Sequence, residues 1–254
     1  MKLEYLEIKT LDKPTLRGVV HHSKDENPKP VIICHGYFSA QRNGPQRLFV
    51  EMADYLTKRG FEVYRFDLSG MGESDGEIDN TVFDDHVDDL GRIVEFVKSR
   101  HPGHKVCLIA HCLGCNYALA NILKKDDIYR EIILIAPFYT NERVLNGFFK
   151  EESLVDQLHE YGFTKRKGLY AHRSFFEKNE EKAVIERINS VKVMVNLIIP
   201  IQDEFIPLDD NRRIFGQAKY ANVIEMDGDH NFREAKPDLI KKVGELLTDD
   251  KYTI

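Results

Sequence analysis

Val106-Cys107-Leu108-Ile109-Ala110-His111-Cys112-Leu113-Gly114-Cys115 is the stretch on which the fold of this chain turns. A continuous apolar run bounded by polar residues reads as a strand buried on both faces, the signature of a parallel sheet. Helical periodicity begins at Gly114 and runs to Lys124. The polar pair His111-Cys112 therefore falls on a strand-to-helix turn, and a side chain there needs small residues two places before and two after it so that strand and helix can pass closely. Ala110 and Gly114 meet that requirement. The amides at the start of the helix favour an anionic side chain, which for Cys112 means a reactive thiolate. Two other readings compete. Cys112 could be an ordinary buried thiol, or Cys112 and Cys115 could form the C-x-x-C pair of a redox protein of the thioredoxin kind.

Working outward, further short apolar runs occur at Val31 to Cys34, Phe61 to Phe66, Ile132 to Ala136, Val193 to Ile199 and Val223 to Met226. Segments of helical period separate them: Arg47 to Arg59, Val82 to Ser99, Asp209 to Gln217 and Lys236 to Leu247. Alternation of this kind predicts a doubly wound α/β sheet. Leu3 to Ile8 and Leu16 to His22 flank a turn at Asp12-Lys13-Pro14 and predict an antiparallel hairpin ahead of it. Phe138 to Ser190 breaks the rhythm: it is too long for a loop, lacks a convincing buried strand, and is expected to be a helical insertion over the sheet. We expect one domain over residues 1–254, with a core of 1–137 and 191–254 and a lid at about 138–190.

In an open parallel sheet, chemistry collects beyond the carboxyl ends of the strands. His35-Gly36-Tyr37 follows the run ending at Cys34, and Gly36 allows a turn that aims the next amide at position 112. The amides of Tyr37 and Leu113 are thus candidates for an oxyanion hole. Asp203 follows Leu197 to Pro200, and His230 follows Val223 to Met226. In that order, His230 would take the proton from Cys112 and return it to a leaving group, while Asp203 would fix the imidazole. Glu204 and Asp229 are the neighbouring carboxylates, Asp229 being expected to point elsewhere. Asp67 to Gly76 is rich in glycine but lacks the third glycine and the Lys-Ser/Thr of nucleotide loops, so tight turns are expected there. His21, His22, His86, His101, His104, His159 and His172 offer no convincing metal spacing; neither metal nor cofactor is expected.

Composition narrows the partners. With 42 acidic and 36 basic residues interspersed along the chain, the net charge of −6 leaves no basic stripe for nucleic acid. The charged start Met1-Lys2-Leu3-Glu4 is unlike a signal peptide, and no apolar run reaches membrane-spanning length. Four cysteines in or beside buried strands suit reduced thiols, so a cytoplasmic protein is expected. The sequence leaves the oligomeric state open.

Together these residues resemble the α/β-hydrolase superfamily, and within it the small lidded esterases: cinnamoyl or feruloyl esterases and monoacylglycerol-lipase-like enzymes. His35-Gly36-Tyr37 is similar to the family's H-G-F/Y, Asp67 to Ser74 to its D-x-x-G-x-G-x-S, and Asp203 to Pro207 to its D-x-x-V/I-P; His230-Asn231-Phe232 completes the set. The resemblance implies an α/β-hydrolase fold with a mainly parallel eight-stranded sheet and a lid after the sixth strand. It also implies a nucleophile at position 112, where the family carries Gly-x-Ser-x-Gly and this chain carries Ala110 and Cys112. An acyl ester or thioester hydrolase with a Cys112-His230-Asp203 triad is the first expectation, acting on a small-molecule acyl substrate or a thioester on a carrier protein. Acyl transfer to a carbon or nitrogen nucleophile, as in chain-releasing cyclases, and an inactive or redox-sensing relative remain open. Lid aromatics such as Phe148, Phe149 and Tyr170 are candidates for covering the substrate, with docking of the lid as their alternative role.

Overall fold

The computed structural model describes residues 2–37, 41–125, 127–140, 144–145, 152–166, 169–216 and 218–248. The chain opens with a hairpin, β1 (Lys2–Thr10) and β2 (Lys13–His22), and continues through β3 (Lys29–Cys34), α1 (Leu48–Thr57), β4 (Phe61–Phe66), α2 (Phe83–Arg100), β5 (Val106–His111), α3 (Gly114–Ile122) and β6 (Tyr129–Ile135). After an intervening segment come β9 (Val195–Pro200), α7 (Leu208–Phe215), β10 (Ala221–Met226) and α8 (Lys236–Thr248). Eight strands form one sheet in the order β1-β2-β4-β3-β5-β6-β9-β10. The pairs β1/β2 and β2/β4 are antiparallel, and every later pair is parallel.

Alternation along the strands sorts side chains into two cores, as the pleat requires. Ile32, Cys34, Leu108 and Ala110 join the cluster that includes Val87, Leu90 and Val94 of α2 and Ala118 and Leu119 of α3. Val31, Ile33, Cys107 and Ile109 join the other, with Phe49, Met52 and Leu56 of α1 and Leu239 and Val243 of α8. With helices on both faces, β3 and β5 have almost no exposed surface. Their apolar runs are therefore continuous rather than alternating.

The segment between β6 and β9 contains α4 (Glu152–Tyr161), α5 (Ser174–Glu177) and α6 (Glu181–Ser190). It also contains a short antiparallel pair, β7 (Phe163–Arg166) with β8 (Leu169–His172), where the sequence predicts helix alone. Strands of four residues carrying Lys165 and Arg166 lack the apolar run that reveals a buried strand. The segment is tied to the core by the α5 region. Phe175 and Phe176 are buried, and Ser174 Oγ accepts the Phe83 amide at 3.1 Å, opposite the start of α2. Among the described residues no helix is long and apolar enough to cross a membrane.

Candidate active site

The turn after β5 has the geometry its small residues permit. Cys112 adopts φ +55°, a left-handed conformation that costs a non-glycine residue about 1–2 kcal/mol. Backbone bonds on both sides hold it there: its amide donates to Ile135 O at 3.0 Å, and its carbonyl accepts the Cys115 amide at 3.1 Å. A Cβ on Gly114 would lie 2.6 Å from His35 O, and one on Gly36 would lie 3.0 Å from both Cys112 Cβ and Leu113 N. These two glycines let the end of β3 run directly across the turn, bringing Gly36 beside the Leu113 amide.

His35 reinforces that crossing. Its Nδ1–H donates to Gly36 O at 2.7 Å and its Nε2 accepts the Leu68 amide at 3.1 Å, which fixes a neutral tautomer. Burial pulls the ring's pKa down, in keeping with that assignment. Asp67 accepts the Arg42 amide at 2.8 Å and pairs with its guanidinium, tethering the residues downstream of Tyr37. The glycine-rich turn thus organises loops. The Tyr37 ring is itself buried, 4.3 Å from the ring of Phe175 in α5.

His230 and Asp203 meet at 2.8 Å between Nδ1 and Oδ2. The other Asp203 oxygen accepts the amides of Phe205 at 2.8 Å and Ile206 at 3.0 Å, so the carboxylate is fully engaged and its side chain fully buried. Cys112 lies close enough to the same imidazole to act on it electrostatically. Burial alone would lower the pKa of His230. Its neighbours Cys112 and Asp203, the latter hydrogen-bonded to it, outweigh burial and raise the imidazole's pKa well above its ordinary range.

The neighbouring carboxylates do other work. Glu204 accepts the His230 amide at 2.9 Å and pairs with Arg233 at 2.8 Å, while Asp229 caps the amides of Asn231 and Arg233. Cys115 donates its thiol to Ala110 O and Ile135 O, both at 3.4 Å, and burial drives its pKa well upward. Of the four cysteines, Cys112 is half-buried and Cys34, Cys107 and Cys115 are buried. Among the described residues no group of three or more His, Cys, Asp or Glu side chains is placed to hold a metal. Phe148 and Phe149 lie outside the described residues, and Tyr170 falls on β8. A residue absent from the sequence-based candidates enters here: His111 Nε2 donates to His230 O at 3.0 Å. Its signal was a histidine on the same strand parity as Cys107 and Ile109, an otherwise apolar face.

Comparison with known proteins agrees with this architecture. Residues 25–198, more than half the chain, match the Hydrolase_4 family, described as serine aminopeptidase, S33. The chain belongs to this family. Over 119 residues it is 29% identical to a probable lysophospholipase, BODYGUARD 4 of Arabidopsis thaliana, covering 46% of this chain and 27% of that protein. Over 117 residues it is 28% identical to a monoglyceride lipase homolog of monkeypox virus, covering 45% and 40%. The matched stretch thus spans well under half the length of either relative. Among solved structures, Est1E from Butyrivibrio proteoclasticus with ferulic acid bound superposes with a TM-score of 0.77 at 16% identity, covering 95% of this chain and 97% of that one. At that identity the likeness establishes the α/β-hydrolase fold.

Proposed function

We propose that this Hydrolase_4 member hydrolyses a small-molecule acyl ester or thioester through an acyl-cysteine intermediate on Cys112. The carrying observation is the Asp203–His230 hydrogen bond with Cys112 beside the same imidazole, held in a left-handed turn. The lipase and lysophospholipase names of the two sequence relatives favour acyl-ester chemistry. The family description names serine, whereas position 112 here is cysteine.

In this reading the Cys112 thiolate attacks the acyl carbonyl, and the Tyr37 and Leu113 amides receive the developing oxyanion. His230 Nε2–H protonates the departing alkoxide or thiolate as the tetrahedral intermediate collapses to a thioester. Neutral His230 then takes a proton from water, hydroxide adds to the thioester carbonyl, and collapse expels the Cys112 thiolate with the proton retained on the imidazole. Asp203 keeps Nδ1–H as the donor side throughout, leaving Nε2 toward the reacting atoms. Residues 138–190 act as a lid in this proposal, over a core of 1–137 and 191–254 in a single catalytic domain of a cytoplasmic protein. A thioester is also open to amines and carbanions, so acyl transfer to such acceptors is the same chemistry with a different second substrate.

Steady-state hydrolysis of a panel of aryl esters and acyl thioesters tests the proposal. Wild type should turn over at least one class. Cys112→Ala should lose about 10⁴-fold or more in kcat, and His230→Ala a comparable amount. Wild-type turnover that survives in Cys112→Ala would contradict the assignment.

A further inference from the structure

The segment carrying His230 has no regular secondary structure. It is shaped by strained backbone, with φ +144° at Gly228 and +51° at Phe232, and by bonds from side chains to its peptide groups. Two of those bonds grip His230 itself. Its amide donates to Glu204 Oε2 at 2.9 Å, and its carbonyl accepts from His111 Nε2 at 3.0 Å. A carbonyl can only accept, so His111 is the Nε2–H tautomer. Its Nδ1 is buried and has no hydrogen-bond partner among the described residues. An orphaned buried nitrogen makes a histidine a poorer choice than an apolar side chain at this site, unless the bond from Nε2 is needed.

We propose that His111 is a positioning residue which, with Glu204, fixes the His230 peptide at the one distance from Cys112 where the imidazole spans both Cys112 and Asp203. The proposal rests on the triad reading and deepens it. His111 directly precedes Cys112 in the chain and ends β5, so its bond to His230 O closes a short circuit: nucleophile, adjacent residue, carbonyl of the base, imidazole of the base, nucleophile. Cys112 and His230 therefore take their spacing from the same rigid strand end, through a bond whose partners His111 and His230 are 119 positions apart in sequence. The rings of His111 and His230 lie 5.5 Å apart, and Phe49 of α1 packs edge-on against His111. Burial and the neighbouring His230 charge push His111 down to about 3, so it stays neutral while His230 is cationic. The groups facing His230 are Cys112 from the turn, Asp203, Glu204 and the Phe205 ring from the segment after β9, and His111 from β5. Asp229 on its own loop is turned to Arg233.

The test is the pH dependence of Cys112 alkylation by iodoacetamide, with kcat and KM for an activated ester, in the full chain. His111→Leu keeps the bulk and removes the donor; His111→Gln keeps a donor. For His111→Leu we expect kcat to fall about 10²-fold with KM within about twofold, as a misplaced base predicts. Its alkylation curve should differ from wild type, because the imidazole beside Cys112 is displaced. His111→Gln should restore most of both. Glu204→Ala, on the exposed side, should shift the curve in the same direction by less. A folded His111→Leu with wild-type kcat and a wild-type curve overturns the proposal, provided His230→Ala moves the curve. If His111→Leu does not fold, an unmoved curve and unchanged kcat in Glu204→Ala overturn it, and a shift supports it. If His230→Ala itself leaves the curve unmoved, the triad reading fails and takes this proposal with it.

Discussion

Two clusters of histidine and carboxylate sit at opposite ends of the same sheet, and by distance alone they look alike. At the carboxyl end, His230 meets Asp203 at 2.8 Å. At the amino end, Glu62 of β4 lies 3.0 Å from His22 Nδ1 and 3.2 Å from His101 Nε2 and accepts the Tyr64 hydroxyl at 2.6 Å, while His22 Nε2 meets Glu4 at 2.8 Å. The difference is what the histidine is offered on its far side. In the amino-end cluster, both His22 nitrogens and the His101 Nε2 end on carboxylates or a phenol, and the positive-φ residues do not include Glu4, His22, Glu62 or His101. At the carboxyl end, the imidazole has a carboxylate on one nitrogen and, close beside it, a thiol carried on a strained turn. A histidine–carboxylate pair becomes a candidate base when a nucleophile completes it. Without one, it is a fastening.

The contrast can be broken most sharply at Asp203. Asp203→Asn leaves a hydrogen-bonding group of the same shape but offers the imidazole the wrong tautomer, and kcat should fall by about 10²–10⁴ while KM changes little. Loss of less than about tenfold would place the carboxyl-end pair in the same class as its amino-end counterpart. Next in size is Gly36→Ala, whose Cβ would press on Cys112 Cβ and Leu113 N at 3.0 Å. Displacing the amide beside it should lower kcat by about 10–10²-fold. Circular dichroism and thermal melts establish whether the fold survives.

The smallest effect on activity should come from Glu62→Gln, with turnover within about twofold of wild type and stability lower by about 1–2 kcal/mol at neutral pH. Burial raises the Glu62 pKa, but the hydrogen bonds from His101, Tyr64 and His22 prevail and bring it down to about 2. A carboxylate depressed in the folded state contributes stability that is present above its unfolded pKa of about 4.3 and lost as pH falls toward the folded value. The stability gap between wild type and Glu62→Gln should therefore narrow between about pH 4 and 2, as read by denaturant unfolding across that range. A gap that is constant through this window would show that the Glu62 charge contributes nothing.

The two ends also differ in how much the sequence discloses. The runs at Val31, Phe61, Val106 and Leu197 announce buried parallel strands because both faces of each are covered. The residues following such runs are few, so Tyr37, Cys112, Asp203 and His230 stand out without any knowledge of contacts. His111 does not stand out, because its role depends on a carbonyl 119 residues away. Glu62 and its partners are equally silent: Glu4, His22, Glu62 and His101 converge through pairings of β1, β2 and β4 and the end of α2, none of which leaves a local pattern. The hairpin β7 and β8 is missed for a different reason, since strands of four residues without an apolar run carry too little periodicity to be told from loop.

The most direct test of the acyl-cysteine reading is acid-quenched intact-mass spectrometry after mixing the protein with an activated acyl ester, followed by peptide mapping. The buried state of Cys34, Cys107 and Cys115 makes the expected outcome specific. Wild type should show a single acyl adduct within the first turnover, mapped to Cys112 and cleared with continued incubation; Cys112→Ala should show none. An adduct of equal yield in Cys112→Ala, or wild-type turnover in which Cys112 never carries the acyl group, would contradict the account.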